Sequence, residues 1–275
     1  MRTLAALLVV TVPLVSCTGS DVPPPVTPAP EAPIPGEPPS APDEGTEGDR
    51  DGNPEALRRT LSQAMATGRV LPYDAAWDVL SDAFAVGPGQ VRLFYTERVI
   101  PAENRASGEN QSERDFWNRE HVWPQSHGLA DNDARTDLHN LVPVDQTVNS
   151  SRGNRVFDDA PTPHHECEVC RAGGGVFMPG PEERGDVARI AFYMDVRYEG
   201  QGGVPDLVLA DDVESDAARF GVLSTLLRWH CADPVSGDEV VRHEIVAEAQ
   251  GNRNVFVDRP ELANALYGVE CGEGR

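Results

Sequence analysis

The most informative part of this sequence reads NREHVWP at residues 118–124, DLHNLVP at residues 137–143 and DQTVNSSRGNR at residues 145–155. The first two segments are each predicted to form a β-strand that stops at its proline, because proline cannot donate a hydrogen bond within a sheet. The third segment is predicted to form a short helix with Asp145 as its N-cap. The expected order is therefore strand, loop, strand, helix.

Such a fold would bring together three polar side chains, those of Glu120, His121 and Asn149, although Asn149 lies 28 positions after His121. The carboxylate of Glu120 and the amide of Asn149 offer oxygen ligands that Mg²⁺ accepts, and a histidine with a pKa near ~6.5 can take a proton from water. Neighbouring residues of a regular strand point to opposite faces, so Glu120 and His121 share one site only if the strand is bulged or ends there. These groups could activate a water and neutralise charge, as hydrolysis of a phosphodiester requires.

The three segments resemble the endonuclease I family of exported bacterial nucleases, which belongs to the ββα-metal, or His-Me finger, superfamily. The resemblance continues in RGDVAR at residues 184–189, FYM at 192–194, WH at 229–230, DPV at 233–235 and QGNRN at 250–254. It implies an α+β fold, with a mainly helical domain built around a ββα-metal core. It also implies a metal-dependent, largely sequence-nonspecific endonuclease that hydrolyses phosphodiester bonds of DNA, with RNA as a second candidate substrate.

The resemblance also implies roles for individual residues. His121 matches the general base, and Glu120 and Asn149 match the metal ligands, with Asn154 as the alternative ligand if the helix register differs. A backbone carbonyl near residues 139–141 would hold the histidine. The implied cofactor is a single Mg²⁺ that stabilises the phosphate and the leaving oxygen, with Mn²⁺ or Ca²⁺ as alternatives.

Four arginines are candidates for binding substrate phosphates, because a guanidinium group offers a planar set of donors to phosphate oxygens. They are Arg152, Arg155, Arg189 and Arg253. A structural ion pair is the alternative for each of them, since acidic residues are in excess. Contacts of this kind reach phosphate and sugar but no base edge, which favours cleavage without sequence preference.

The charge of the chain limits how it could hold a nucleic acid. The net charge is −22, and all 23 basic residues are arginine. Residues 56–275 still carry a net charge of −15, from 36 acidic residues and 21 arginines. A polyanion must therefore be held by a local arginine patch or a bound cation and not by the overall field. The composition, 39% hydrophobic and 25% charged, is that of a globular protein and excludes collagen-like, coiled-coil and multi-span membrane proteins.

The N-terminus is predicted to direct export. An apolar run near the start is too short to span a membrane, and LVSC at residues 14–17 resembles a bacterial lipobox. We expect a signal peptide at residues 1–16, a lipid anchor on Cys17, a disordered, proline-rich acidic linker at residues 17–52 and a catalytic domain at residues 53–275. The protein would be anchored to the cell envelope, at the outer membrane if the cell has two, or released outside. An ordinary secretory signal is the alternative.

The other four cysteines favour two disulfides, with three possible pairings, because oxidation is the default outside the cytosol. They are Cys167, Cys170, Cys231 and Cys271. A structural Zn²⁺ site is the second interpretation, since histidines at positions 164 and 165 precede the first pair. A redox-active Cys-x-x-Cys motif is the third.

Hydrophobic periodicity predicts the remaining elements. Helices are expected at residues 54–63, 73–84, 186–198, 214–230 and 260–267, with a strand at residues 91–100. Two other classes of function stay open at this point. One is a non-catalytic nucleic-acid-binding surface lipoprotein, and the other is a zinc-stabilised structural protein. We expect a monomer.

Overall fold

The computed structural model describes residues 53–106, 113–211 and 218–272, all of which lie in one compact unit. Three predictions therefore fall outside the described residues, namely the signal peptide at residues 1–16, the lipidation of Cys17 and the linker at residues 17–52. No helix within the described ranges is long and apolar enough to cross a membrane.

The described residues combine helices with short strands, which confirms the predicted α+β class. The helices are α1 (Pro54–Met65), α2 (Ala76–Ala83), α3 (Gln146–Arg152), α4 (Arg184–Arg197), α5 (Leu223–Ala232), α6 (Gly237–Gln250), α7 (Val255–Asp258) and α8 (Glu261–Tyr267). The strands are β1 (Ala85–Gly87), β2 (Gln90–Arg92), β3 (Val99–Pro101), β4 (Trp117–His121), β5 (Leu141–Asp145), β6 (Val156–Phe157), β7 (Thr162–Pro163), β8 (Arg171–Gly173), β9 (Val176–Met178), β10 (Val208–Leu209) and β11 (Arg219–Phe220). The strands form four small sheets, ordered β1-β2-β3, β4-β5, β6-β9-β8-β7 and β10-β11.

Helix α4 is the centre of the hydrophobic core. Its buried residues lie on nearly every side, which is typical of a helix enclosed by other elements. It packs against α1, α5 and α7, and also against the turn Leu138–Asn140 that precedes β5. The ring of His139 in this turn lies 4.8 Å from that of Tyr193 on α4, and its Nε2 is 3.0 Å from the carbonyl oxygen of Asn252. The core thereby holds the connection between β4 and β5 in place.

Strands β4 and β5 form an antiparallel pair, and α3 follows β5 without a break. Their register runs from Trp117 opposite Asp145 to His121 opposite Leu141. This confirms the predicted order of strand, strand and helix. Asp145 occupies the N-cap position of α3 as predicted, but its carboxylate accepts hydrogen bonds from Thr96 and Arg98 and does not cap the helix.

The prediction that the second strand stops at Pro143 is wrong. Strand β5 starts at Leu141 and continues through Pro143 to Asp145, and Leu138–Asn140 forms a 3-10 turn instead of a strand. The carbonyl of Pro143 accepts the N–H of Phe94 at 2.8 Å, so the backbone polar groups of this residue face away from β4. The missing N–H of proline therefore removes no bond from the β4-β5 pair.

The predicted strand at residues 91–100 is also wrong, because this segment is the hairpin of β2 and β3. The N–H of Leu93 donates to the carbonyl of Arg98 at 2.8 Å, which closes the turn. Glu97 in this turn has a φ of 55°, a left-handed conformation that glycine or asparagine usually adopts. Glutamate is not a typical turn residue, so the alternating pattern of this segment does not reveal that the chain reverses at Glu97.

Of the other predicted helices, three are found and two begin at residues different from those predicted. Helices predicted at residues 54–63, 73–84 and 260–267 are found, the second with a 3-10 first turn. Helix α4 begins before Asp186, because a 3-10 turn at Pro181–Glu183 leads directly into it. The helix predicted at residues 214–230 falls partly outside the described residues, and its described part is helical only from Leu223.

The four cysteines form two disulfides, Cys167–Cys170 and Cys231–Cys271. This confirms the preferred prediction and selects one of its three pairings. The zinc interpretation is wrong for this oxidised protein, because zinc is bound by thiolates and these sulfurs are bonded to each other. His164, one of the two histidines that precede the first pair, has its Nε2 2.6 Å from the hydroxyl oxygen of Ser151.

Glu183 is a buried carboxyl group that makes stability depend on pH. Its side chain is 7% exposed and its Oε2 has no hydrogen-bond partner among the described residues. Burial, followed by the charges of Glu97 and Asp186, raises its pKa from 4.5 to about 8. The folded protein therefore binds a proton that the unfolded chain releases near 4.5. The stabilisation that this bound proton contributes is complete below pH 4.5 and is lost as the pH rises towards 8.

We expect Glu183→Gln to remove this loss. When the pH is raised from about 4 to about 9, the free energy of unfolding of the variant, relative to that of the wild type, should increase by roughly 2–4 kcal/mol, because glutamine stays neutral. Denaturant unfolding at both pH values measures the difference. Glu182→Gln, at the exposed neighbouring position, is the matched control. If the wild type and Glu183→Gln show the same pH dependence, Glu183 ionises without cost.

Candidate active site

A cavity of about 500 Å³ opens beside the end of β4 and the start of α3. Glu120 and His121 from β4 and Asn149 from α3 all line it, so the fold brings together the three residues that the sequence predicted. Asn154, the alternative ligand, lies at the same cavity. Both asparagines therefore stay available as ligands.

The end of β4 explains how two successive side chains reach one cavity. The pairing with β5 is regular up to His121, and the strand ends there without a bulge. Of the two conditions that the sequence allowed, the ending strand is the one that is met. The preceding side chains still alternate between the two faces of the strand. Arg119 and His121 both contact Tyr73 on one face. Asn118 contacts Asn149 on the other face.

Both ring nitrogens of His121 are oriented by neighbours. Its Nε2 lies 2.8 Å from the carbonyl oxygen of Arg135, and its Nδ1 lies 3.2 Å from the amide nitrogen of Gln125. A carbonyl can only accept, so Nε2 carries the proton and Nδ1 is the basic nitrogen. The carbonyl was expected near residues 139–141. That prediction is wrong, because the chain turns into the 3-10 helix Asp133–Thr136 before it reaches β5.

Burial keeps His121 neutral. It lowers the pKa of the imidazole to about 4, and the charges of Arg135, Arg119 and Arg152 act in the same direction. The ring is 5% exposed and stacks on that of Tyr73, with centroids 5.7 Å apart. A neutral imidazole with a free Nδ1 lone pair is the form that can accept a proton from water.

Glu120 is held by two donors on one oxygen. The hydroxyl of Tyr95 lies 3.1 Å from Oε1, and Nη1 of Arg152 lies 3.0 Å from the same atom. Burial raises the pKa of Glu120 to about 7, although Arg152 and Tyr95 both oppose the shift. A buried carboxylate whose charge is only partly balanced by protein groups is a suitable ligand for a cation.

Asn149 is oriented by Asn118, whose amide oxygen accepts the Asn149 NH₂ group at 2.7 Å. This contact leaves the oxygen of Asn149 as the group that can bind a ligand. No group of three histidine, cysteine or acidic side chains suited to a metal occurs within the described ranges. One carboxylate and one amide oxygen nevertheless fit Mg²⁺, which keeps several water ligands and takes others from substrate phosphates.

The four predicted phosphate-binding arginines lie in different surroundings. Arg152 lines the cavity but is fully buried, and it donates to the carbonyls of His121 and Val122 at 2.9 and 2.7 Å. It therefore anchors the end of β4 to α3. Arg155 is exposed just beyond the cavity and bonds to the carbonyl of Arg152 at 3.1 Å.

The other two arginines take the structural alternative. Arg189 is fully buried and bonds to Glu239 at 2.6 and 2.7 Å and to Asp186 at 3.0 Å, so it cannot reach a phosphate. Arg253 forms ion pairs with Glu244 and Asp258, each at 2.6 Å. Neither lines the cavity.

Several residues of the site were not predicted from the sequence. Asn118 could have been found, because it lies two positions before Glu120 and alternation places both on one face of the strand. Gln125 follows Pro124 in the motif but carries no signal of its own. Tyr95 and the carbonyl of Arg135 reach the site through tertiary contacts, for which the local sequence contains no signal.

Comparisons with known proteins identify the family of this chain. The family model described as Endonuclease I matches residues 55–261. The chain is 40% identical over 218 residues to an extracellular ribonuclease of Bacillus amyloliquefaciens, covering 77% of this chain and 74% of the relative. It is 39% identical over 219 residues to an extracellular ribonuclease of Bacillus subtilis (strain 168), covering 78% and 74%. The matched region includes the whole cavity and most of the chain, and the protein therefore belongs to the endonuclease I family.

Proposed function

We propose that this nuclease is a divalent-cation-dependent endonuclease that hydrolyses phosphodiester bonds of both DNA and RNA with little sequence preference. The observation that carries the proposal is the meeting of the His121 imidazole, the Glu120 carboxylate and the Asn149 amide at one cavity. It combines a base with oxygen ligands, as metal-assisted hydrolysis requires. This strand, strand and helix site supports assignment to the ββα-metal superfamily.

In this proposal His121 is the general base. Its Nδ1 takes a proton from the attacking water, while the Arg135 carbonyl accepts the hydrogen bond from Nε2 and keeps the ring oriented. Gln125 occupies the position next to Nδ1, so its amide must move aside or share Nδ1 with the water. Burial, with a smaller contribution from the nearby arginine charges, keeps the imidazole uncharged at neutral pH, which is the form that can accept a proton.

Glu120 and Asn149 would hold the cation, with Asn154 as the alternative to Asn149. We propose Mg²⁺, with Mn²⁺ or Ca²⁺ as substitutes. When bound, the cation would neutralise charge on the phosphate and stabilise the leaving oxygen. Tyr95 and Arg152 position the carboxylate of Glu120, and Asn118 binds the NH₂ group of Asn149, which leaves the amide oxygen of Asn149 for the cation.

The nucleophile determines which nucleic acids are substrates. Because water attacks in this mechanism, the reaction does not depend on the 2′-hydroxyl of RNA, and DNA is cleaved as well. The relatives named extracellular ribonuclease support RNA as a substrate. Their name and the two disulfides also support an exported protein. We propose a lipid anchor at Cys17 and a monomer in solution.

The proposal is tested by incubating plasmid DNA and an unstructured RNA with the purified protein in Mg²⁺ or in EDTA. We expect both substrates to be cut internally in Mg²⁺ and neither in EDTA, with activity restored when Mg²⁺ is added back. The family resemblance predicts products with 5′-phosphates. Cleavage of RNA alone would contradict water as the nucleophile, and binding without cleavage in Mg²⁺ would favour a non-catalytic nucleic-acid-binding lipoprotein.

A further inference from the structure

Three arginines and two aromatic residues alternate in a stack whose central three members form one wall of the cavity. The guanidinium carbon of Arg119 lies 3.6 Å from the ring centroid of Tyr73 and 4.1 Å from that of Trp77. Arg135 lies 4.6 Å from the Tyr73 centroid, and Arg105 lies 5.7 Å from the Trp77 centroid. The order is therefore Arg135, Tyr73, Arg119, Trp77, Arg105, which we call the arginine ladder.

The ladder begins beside the proposed general base. Its central members Tyr73, Arg119 and Trp77 line the cavity, and Tyr73 stacks on His121. Arg135 contacts Tyr73 at one end of the ladder, and Arg105 contacts Trp77 at the other end. One end of the ladder therefore lies beside His121, and its central part faces the cavity.

The acidic partners of the ladder are few and exposed. Arg119 lies 3.4 Å from Asp74, whose side chain is 93% exposed. Arg105 lies 2.7 Å from Asp78, whose side chain is 78% exposed. Arg135 has no ion-pair partner within the part of the chain that the structure describes. Exposed ion pairs contribute little free energy, so these carboxylates can be exchanged for another anion at small cost.

This surplus of positive charge is unusual in a chain with a net charge of −22. Arg189, in contrast, is enclosed by the carboxylates of Glu239 and Asp186, which are themselves buried. The ladder arginines are close enough to oppose each other. The guanidinium carbons of Arg135 and Arg119 lie 4.6 and 3.6 Å from the centroid of the same Tyr73 ring. A bound anion would relieve this repulsion.

The aromatic rings determine what kind of ligand the wall accepts. Arg119 lies between the rings of Tyr73 and Trp77, so these faces support guanidinium groups and offer no open platform between them for a nucleobase. What the wall presents is a row of planar donors. Arginine in this arrangement matches the geometry of phosphate oxygens.

We propose that the arginine ladder is the track that binds the phosphodiester backbone of the substrate next to the scissile linkage. This inference rests on the proposed nuclease function and extends it, because it names how an acidic protein holds a polyanion. Backbone contacts of this kind carry no sequence information, in agreement with nonspecific cleavage. They should contribute an affinity that falls steeply with salt.

The test measures binding of a fluorescently labelled DNA duplex to the full chain, in the His121→Ala background and in EDTA, so that nothing is cleaved. Arg105→Met, Arg119→Met and Arg135→Met each remove one charge but keep an apolar stem. We expect each change to flatten the slope of log K against log salt by about 0.9. Arg259→Met is the matched control, because Arg259 is an exposed arginine paired with Glu261 outside the cavity. Slopes equal to that of the control would overturn the proposal.

A variant that is expected to bind DNA more tightly tests the ladder without the objection that lost binding reflects misfolding. Asp74→Asn removes the exposed carboxylate that competes with the substrate for Arg119, without touching a buried group. We expect the dissociation constant for the duplex at low salt to fall by about two- to fivefold. Unchanged or weaker binding would overturn the role of Arg119. Thermal unfolding of every variant confirms that the comparison is between folded proteins.

Failure of the ladder and failure of the proposed function can be told apart by assaying the wild type in Mg²⁺ alongside. If the wild type cleaves DNA while the ladder variants keep its salt slope, the ladder is wrong and the nuclease proposal stands. If the wild type binds DNA through the ladder but does not cleave it, the ladder stands and the catalytic proposal is wrong.

Discussion

Replacing His121 with alanine is expected to lower kcat by about 10²–10⁴-fold while the affinity for DNA changes little. The side chain supplies the basic Nδ1 at the cavity, and no other histidine among the described residues lines that cavity. Phosphate contacts and the cation ligands stay in place in the variant. Single-turnover cleavage of a labelled duplex in saturating Mg²⁺ measures the effect without a contribution from product release.

Two controls separate a catalytic loss from a structural one. His165→Ala removes a histidine whose side chain is 74% exposed and lies outside the cavity, so wild-type activity is expected. Added imidazole should restore part of the activity of His121→Ala, because the deletion leaves a ring-sized space beside Tyr73, whereas it should not accelerate the wild type. Retention of more than a few per cent of wild-type activity, with no response to imidazole, would remove His121 from the role of base.

The second large effect is expected for Glu120→Gln. Glutamine keeps an oxygen that can accept the hydrogen bond from Tyr95, but it loses the charge that attracts a cation. The Mg²⁺ concentration for half-maximal activity should rise by about ten- to a hundredfold or more, since the carboxylate is the only charged ligand in the proposed pair. A Mg²⁺ titration of the cleavage rate measures this shift directly.

The interpretation of Glu120→Gln depends on Arg152, which loses its carboxylate partner in the variant. Its guanidinium still bonds to the carbonyls of His121 and Val122, so the end of β4 should stay anchored. Chemical unfolding in the absence of metal checks this point. Glu261→Gln, which neutralises an exposed glutamate, is the matched control. A Mg²⁺ titration identical to that of the wild type would exclude Glu120 as the ligand.

Much of the site was predictable because its chemistry is concentrated in a short stretch of chain. Glu120 and His121 are neighbours, and Asn149 lies one turn into a helix that follows the paired strand directly. Proline was a poorer guide than expected. Pro124 follows the end of β4, but Pro143 lies within β5, because the cost of a missing N–H depends on whether a neighbouring strand needs it.

The arginines show where prediction from residue type fails. All of them offer the same guanidinium group, and the sequence could not distinguish a phosphate ligand from an ion pair. Burial makes that distinction, since Arg189 is enclosed in the core and Arg152 bonds to the chain at the end of β4. Nothing in the sequence distinguishes Arg119 or Arg135 from the other arginines, yet the charges of both act on the ring of His121.

Local order along the chain was sufficient to identify the family and to predict the strand, strand and helix arrangement, the oxidised cysteines and the three side chains that meet at the cavity. These features depend on residue types at short spacing, which a single sequence displays. The carbonyl of Arg135, the hydroxyl of Tyr95, the pairing of the cysteines and the arginine ladder became known from the folded chain. Each joins segments that are distant in sequence, and such contacts are selected by packing and burial, which no local pattern encodes.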